Sequence, residues 1–148
     1  MSKRFPLEVV MELTRKQADE AAAALGGLRQ KERAAEKTLE MLETCRRDYH
    51  ERFARSSQDG LRNEQWRNYH EFIGKLDTAI AQPKEVLEQC RLQTHAGLRR
   101  WQECRTKLKS FDVLRERHQR GELQVEIRRE QREQDEQSVN VAARRELN

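Results

Sequence analysis

The sequence predicts an all-α fold, a long two-helix antiparallel coiled-coil hairpin that forms a single domain over residues 1–148. Three observations predict it: a composition of helix formers, two apolar seams of matching length, and one cluster of turn-formers between them. Of the 148 residues, 38% are charged and only 35% are hydrophobic, too few for a thick core. Glu, Gln, Arg, Lys, Ala and Leu dominate, and six glycines and two prolines cannot supply the frequent turns of a sandwich or barrel.

The first helix is expected over about 5–57. Its seam, spaced alternately by four and three, reads Leu7, Met11, Thr14, Ala18, Ala21, Leu25, Leu28, Glu32, Ala35, Leu39, Leu42, Arg46, Tyr49 and Phe53. Eleven of these 14 positions are apolar. Opposite charges four residues apart, Glu12 with Lys16, Glu43 with Arg47, Asp48 with Arg52 and Glu51 with Arg55, support the same helix from its flanks. The seam stops at Ser56, Ser57, Gln58, Asp59 and Gly60, which places a reversal at about 58–62. Asn63 is expected to cap the second helix, with Glu64 in the first turn at the positive end of the helix dipole.

That second helix is expected over about 63–137, with a frayed tail at about 138–148. Its seam reads Trp66, Tyr69, Ile73, Leu76, Ile80, Pro83, Leu87, Cys90, Thr94, Gly97, Trp101, Cys104, Leu108 and Phe111. Positions equidistant from Gly60 face each other, so that Met11 meets Leu108 to Phe111 and Leu42 meets Leu76 to Ile80. Bulky groups then oppose small ones, Trp101 against Ala18 and Ala21, and Leu25 against Thr94 to Gly97, as close packing requires. Pro83 removes an amide donor inside this helix and should kink it near that point, at a cost of about 3 kcal/mol. Past Leu114 the seam loses its partner, which leaves Leu123, Val125 and Ile127 in an overhang.

Thirty Lys and Arg against 26 Asp and Glu give a net charge of +4, with the signs interleaved along the chain. Such patterning favours solvated helix faces. Cys45, Cys90 and Cys104 are odd in number and lack a paired framework, so free thiols in a reducing compartment are expected. No apolar run is long enough to span a bilayer, and the N-terminus has no apolar signal region, so a cytoplasmic chain without a transmembrane segment is expected.

No catalytic constellation emerges. Two helices side by side enclose no cavity that could exclude water or perturb a pKa. His50-Glu51 and His70-Glu71 begin like a zinc-protease helix, but the second histidine is missing from both. His50, His70, His95 and His118 are far apart, and no Cys-x-x-Cys occurs, so neither a metal nor any other cofactor is expected. Gly26-Gly27 lacks the lysine-containing continuation of a phosphate loop and marks a flexible or closely approached point of the coiled coil.

Two patches remain. Arg91, Arg99, Arg100, Arg105, Lys107 and Lys109 surround Trp101 and form the most basic stretch. A nucleic-acid site is one reading, but a solvated face with Trp101 in the core is favoured, and no nucleic-acid partner is expected; the patch also suits an acidic protein surface. Near the turn, Trp66, Tyr69, Phe72, Ile73, Leu76 and Ile80 are too many large apolar groups for one seam, so some must reach the surface. With Leu42, Tyr49 and Phe53 they compose either a binding hot spot or extra packing at the turn.

The run Trp66, Tyr69, Phe72, Ile73, Leu76, Ala79 and Ile80 resembles the W-x-x-Y-x-x-F-I-x-x-L-x-x-A-I stretch of the flagellar export protein J (FliJ) family. The first helix is similar in Ala21-Ala22, Leu25-Gly26, Leu39, Met41-Leu42 and Tyr49, and the likeness covers roughly residues 7 to 115. The resemblance implies a non-enzymatic, soluble component of the flagellar type III export apparatus, folded like the stalk of rotary ATP synthases. It implies binding to, and assembly of, a hexameric export ATPase, with its regulator, by the helix ends remote from the turn. It further implies contact with the cytoplasmic domain of the membrane export gate, escort of export chaperones, and a place at the cytoplasmic face of the inner membrane at the flagellar base. Carried over by position, the gate-contacting residues are Leu42, Tyr49, Phe72, Leu76 and Ala79, with Phe53, Trp66 and Tyr69 completing the tip patch. The chain departs from the family pattern at Thr38, Cys45 and Pro83. Candidates for facing the ATPase are Trp101, Arg99, Arg100 and Arg105. The alternatives are a nucleic-acid-associated coiled coil and the equivalent stalk of a virulence injectisome.

Overall fold

The computed structural model describes residues 4–60 and 62–147. Within it the chain forms two helices, α1 (Glu8–Ser57) and α2 (Asn63–Leu147). Cross-helix contacts give their direction. Arg46 pairs with Asp77, Glu32 with Arg91, and the Leu28 carbonyl with Thr94, so partners rise on α2 as they fall on α1. The helices are antiparallel, as the matched seams require.

The reversal is built from local chemistry. The amides of Gln58, Asp59 and Gly60 donate in turn to the carbonyls of Arg55, Ser56 and Ser57, tightening the end of α1. Gly60 then takes a φ of 88°, a left-handed conformation that costs a side chain but not glycine. Leu61 of the expected turn lies outside the described residues, as does Asn148 of the tail. The cap of α2 is Arg62 rather than Asn63: its carbonyl accepts from the amides of Gln65 and Trp66, and its own amide donates to Gln65 Oε1 at 3.4 Å. That is half of a capping box, with Gln65 at the third helical position and Asn63 already at the first. At the other end, Pro6 stands in the turn before α1, where its missing amide has no helical partner to lose.

The chain packs as two compact units. One is Asp19–Gln102, the turn-proximal part of the hairpin. Its core is the two seams: Ala21, Leu25, Tyr69, Leu76, Ile80 and Leu87 are buried. Gly97 lies under α1 so closely that a Cβ there would stand 2.7 Å from Leu28 Cδ1 and 3.7 Å from Leu25 Cδ1. The large-against-small pairing of Leu25 with the Thr94 to Gly97 segment is therefore real. Thr94 is tolerated in the seam because its hydroxyl donates to the Cys90 carbonyl at 2.9 Å and lies 3.4 Å from that of Leu28. The two charged seam residues are also accounted for. Glu32 lies 3.8 Å from Arg91, and Arg46 Nε donates to Asp77 at 2.7 Å. α2 runs through Pro83 without a break in helix, although the Ala79 carbonyl loses its usual amide donor there.

The other unit combines the described residues before Asp19 with those after Gln102. Met11, only 1% exposed, is its most deeply buried side chain, beside Thr14 and Ala18. Thr14 satisfies its hydroxyl on the Val10 carbonyl at 2.9 Å. Here the sequence-based end of the seam is corrected: cover does not cease at Leu114. The Phe5 ring lies 5.5 Å from that of His118, and Arg115, His118 and Glu122 are half-buried, because the segment preceding α1 continues along α2. From Leu123 onward every described residue is exposed. The expected end of helix near Ser138 is also corrected, since α2 continues to Leu147. Beyond Gly121 that stretch holds no Gly or Pro and is rich in Arg, Glu and Gln, all good helix formers, so local propensity sustains it.

No helix of the described residues is long and apolar enough to cross a membrane.

Candidate functional site

The aromatic tip belongs to the Asp19–Gln102 unit. Its positions follow from the seam. Tyr49 and Phe53 are successive seam residues on the last turns of α1, and Trp66 and Tyr69 are the first of α2, so the reversal brings four rings together. Tyr69 is the inner one, 8% exposed. Its ring stacks on Phe53 at 3.7 Å between centroids and 12° between planes, and lies nearly parallel to Tyr49 at 5.8 Å. The buried phenol finds its partner in His50 Nδ1, a contact the sequence reading missed. The signal was available: a buried tyrosine hydroxyl needs a partner, and His50 immediately follows seam residue Tyr49.

The outer rings behave differently. Phe72 lies tilted against Tyr49 at 4.3 Å between ring centroids yet remains 39% exposed, and Trp66 leans on Phe53 at 5.5 Å and His70 at 4.4 Å while 49% exposed. Each is held by ring contacts on one side and open to water on the other. The stack fixes their orientation, so the tip offers a pre-ordered apolar surface with little side-chain entropy left to lose on binding.

The remaining candidates fall into distinct places. Leu42, Tyr49 and Phe53 are half-buried, and Ala79 is exposed. Leu76 is 9% exposed and lies in the core between the helices, so it supports the surface from beneath rather than forming it. Trp101 is a half-buried seam residue, and Arg99 and Arg100 beside it are exposed. Arg105, also exposed, belongs to the other compact unit. Cys45 is exposed, and Cys90 and Cys104 are half-buried free thiols.

The same unit has two unlike flanks. On the side of Asp77 and Arg91, α1 presents Arg29, Arg33, Glu36, Glu40, Glu43 and Arg47, and the cross-helix ion pairs Arg46–Asp77, Arg91–Glu32 and Arg91–Glu36 all lie there. Asp77, through its hydrogen bond and its charge, raises the Arg46 pKa above the ordinary arginine value. On the side of Phe72 and Ala79 the charges are sparser, with Lys31, Lys75 and Arg100 among small, apolar and amide side chains. The tip surface opens onto this second flank.

Comparison with known proteins agrees with the architecture. The family model described as "Flagellar FliJ protein" matches residues 2–147. The Flagellar FliJ protein of Salmonella typhi is 30% identical over 145 residues, which is 98% of this chain and 99% of the relative. The Flagellar FliJ protein of Escherichia coli (strain K12) is 29% identical over 145 residues, with the same coverage. With two antiparallel seams, a ring-lined tip and a match over nearly its whole length, the chain belongs to the flagellar FliJ family.

Proposed function

We propose that this chain is a non-enzymatic adaptor of the flagellar type III protein export apparatus, one that uses its aromatic tip to hold the cytoplasmic domain of the membrane export gate. The observation that carries this reading is the exposure of Trp66 and Phe72 on a stacked base of Phe53, Tyr69 and Tyr49. A large aromatic ring left half in water is costly unless something else covers it. The half-buried Leu42 and exposed Ala79 extend the same surface, while Leu76 underpins it.

The opposite ends of the helices, remote from the turn, suit a second partner, the hexameric export ATPase. That unit exposes Val9, Val10 and Leu13 on α1 and Val113 and Leu114 on α2. Trp101, Arg99, Arg100 and Arg105 are the residues assigned to this contact from the sequence, and the reading includes promotion of hexamer assembly, the ATPase regulator and the escort of export chaperones at the inner-membrane face.

The test separates surface from core. Trp66→Ala with Phe72→Ala should weaken binding to the purified gate domain at least tenfold in titration calorimetry, with helicity unchanged by circular dichroism. Leu76→Ala should instead lower stability by about 2–3 kcal/mol in urea unfolding, because it leaves a gap in the seam. Undiminished gate binding by the double variant would sink the tip assignment. For the ATPase, hexamer formation followed by light scattering should rise when this chain is added; no rise across a range of concentrations would sink the stalk reading.

A further inference from the structure

Three of the six glycines meet at one level of the hairpin. Gly97 of α2 lies against Leu25 and Leu28 of α1, whose Cδ1 atoms would stand 3.7 Å and 2.7 Å from a Cβ built on it. Gly26 and Gly27 fill the two positions between those leucines, and a Cβ on either meets nothing within 4 Å. The same level holds Thr94, whose hydroxyl donates to the Cys90 carbonyl of its own helix at 2.9 Å and lies 3.4 Å from that of Leu28. Gly74 and Gly121 are as open as Gly26 and Gly27, but each stands alone, with no glycine across the seam.

Each feature softens its helix for a separate reason. Glycine leaves the backbone its widest freedom and exposes the main-chain hydrogen bonds to water, so two in succession weaken the ladder of α1. Sharp helix kinks concentrate at such small-residue pairs. A threonine hydroxyl bonded back to the carbonyl four residues earlier competes for that carbonyl and bends its helix, which is the state of Thr94 in α2. At Gly97, α2 supplies no side chain to lock as a knob into a hole of α1, so Leu25 and Leu28 rest on bare backbone. Toward the tip the helices are tied instead: Arg91 lies 3.8 Å from both Glu32 and Glu36, and Arg46 donates to Asp77 at 2.7 Å.

We propose that Gly26, Gly27 and Gly97 form a bending joint within the Asp19–Gln102 unit, about which the arm carrying the aromatic tip swings while both helices stay helical. A weak point in one helix alone is splinted by the other. Here both helices yield at the same level, which is what a two-helix rod needs in order to bend at a point. The arm from Gly27 to Ser57 is about 45 Å long, so a bend of about 20° at the joint moves the tip by roughly 15 Å. Phe53, Trp66, Tyr69 and Phe72 move as one body, because their ring contacts lie wholly beyond the joint. An adaptor built in this way keeps its grip at the tip while a partner changes attitude, and the joint exists whether or not the gate is that partner.

Amide hydrogen exchange of the full chain, resolved by residue in NMR, tests the joint. The amides of Gln30 and Lys31 reach back to the carbonyls of Gly26 and Gly27, and their protection should be at least tenfold lower than that of Glu40 and Met41, which are equally exposed on the same helix. Gly26→Ala with Gly27→Ala should raise that protection at least tenfold, and should also raise it at Gly97 and Leu98 across the seam. Gly74→Ala, at a solitary open glycine, should change neither. Residual dipolar couplings give a second measure that needs no variant: N–H vectors tipward of Glu32 and those on the far side of Leu25 should require two alignment tensors of different magnitude. Equal protection at the two pairs of residues, or a single tensor for the whole unit, would overturn the proposal. A response of the double variant confined to α1 would also overturn it, since the glycines would then act on their own helix alone.

Discussion

Gly26 and Gly97 are both glycines inside helices, yet neighbours give them opposite roles. At Gly97 a Cβ would press on Leu28 Cδ1 at 2.7 Å, whereas at Gly26 it would meet open space. Gly97→Leu should therefore cost about 1–3 kcal/mol in urea unfolding, through overpacking of the seam. Gly26→Ala should raise stability by about 0.5–1 kcal/mol, because helical Gly is simply worse than helical Ala. The His50 to Tyr69 contact illustrates the same scale: one hydrogen bond lets a phenol sit inside an otherwise apolar stack. The ion pairs do less. Arg46 and Asp77 are about half exposed, 45% and 54%, so solvent screens their attraction and their role is to prefer one register over others.

Each helix is stabilised by its seam and qualified by one exception. In α1 the exception is Gly26-Gly27, and in α2 it is Pro83, which stands half-buried on the seam and leaves the Ala79 carbonyl short of a donor. Pro83→Ala should restore that hydrogen bond and stabilise the chain by roughly 1–3 kcal/mol, seen as a higher urea midpoint with the same slope. An unchanged or lower midpoint would mean that the proline ring contributes packing worth as much as the missing bond. At its start α2 uses Gln65 to hold the amide of Arg62, a cap that a sequence search for Asn, Asp, Ser or Thr at the N-cap passes over.

For the whole molecule, the division of labour follows burial. The described residues after Glu122 are exposed throughout, so they add helix without adding core. A chain ending at Glu122 should keep the urea midpoint of the full chain while losing helical ellipticity in proportion to the residues removed. A large fall in midpoint would place hidden packing in the tail. The net charge of +4 is modest beside the number of charges that produce it, and within the Asp19–Gln102 unit the cross-helix ion pairs Arg46–Asp77, Arg91–Glu32 and Arg91–Glu36 share one flank.

Much of this was legible in the residues alone. The spacing of Met11, Ala18, Leu25, Leu76, Ile80 and Leu87 is a property of each helix by itself, so the sequence determined two helices, their antiparallel pairing and the turn at Gly60. It determined the family through Trp66, Tyr69, Phe72, Leu76 and Ala79. Tertiary structure decided what depends on rotation and register between the helices: that Tyr69 and Leu76 lie inward while Trp66 and Phe72 lie outward, that His50 meets Tyr69, and that Phe5 reaches His118. It also decided which flank gathers the ion pairs. A periodic pattern specifies which face of a helix is buried, but the side on which its neighbours stand is set only when two helices pack at a definite angle and offset.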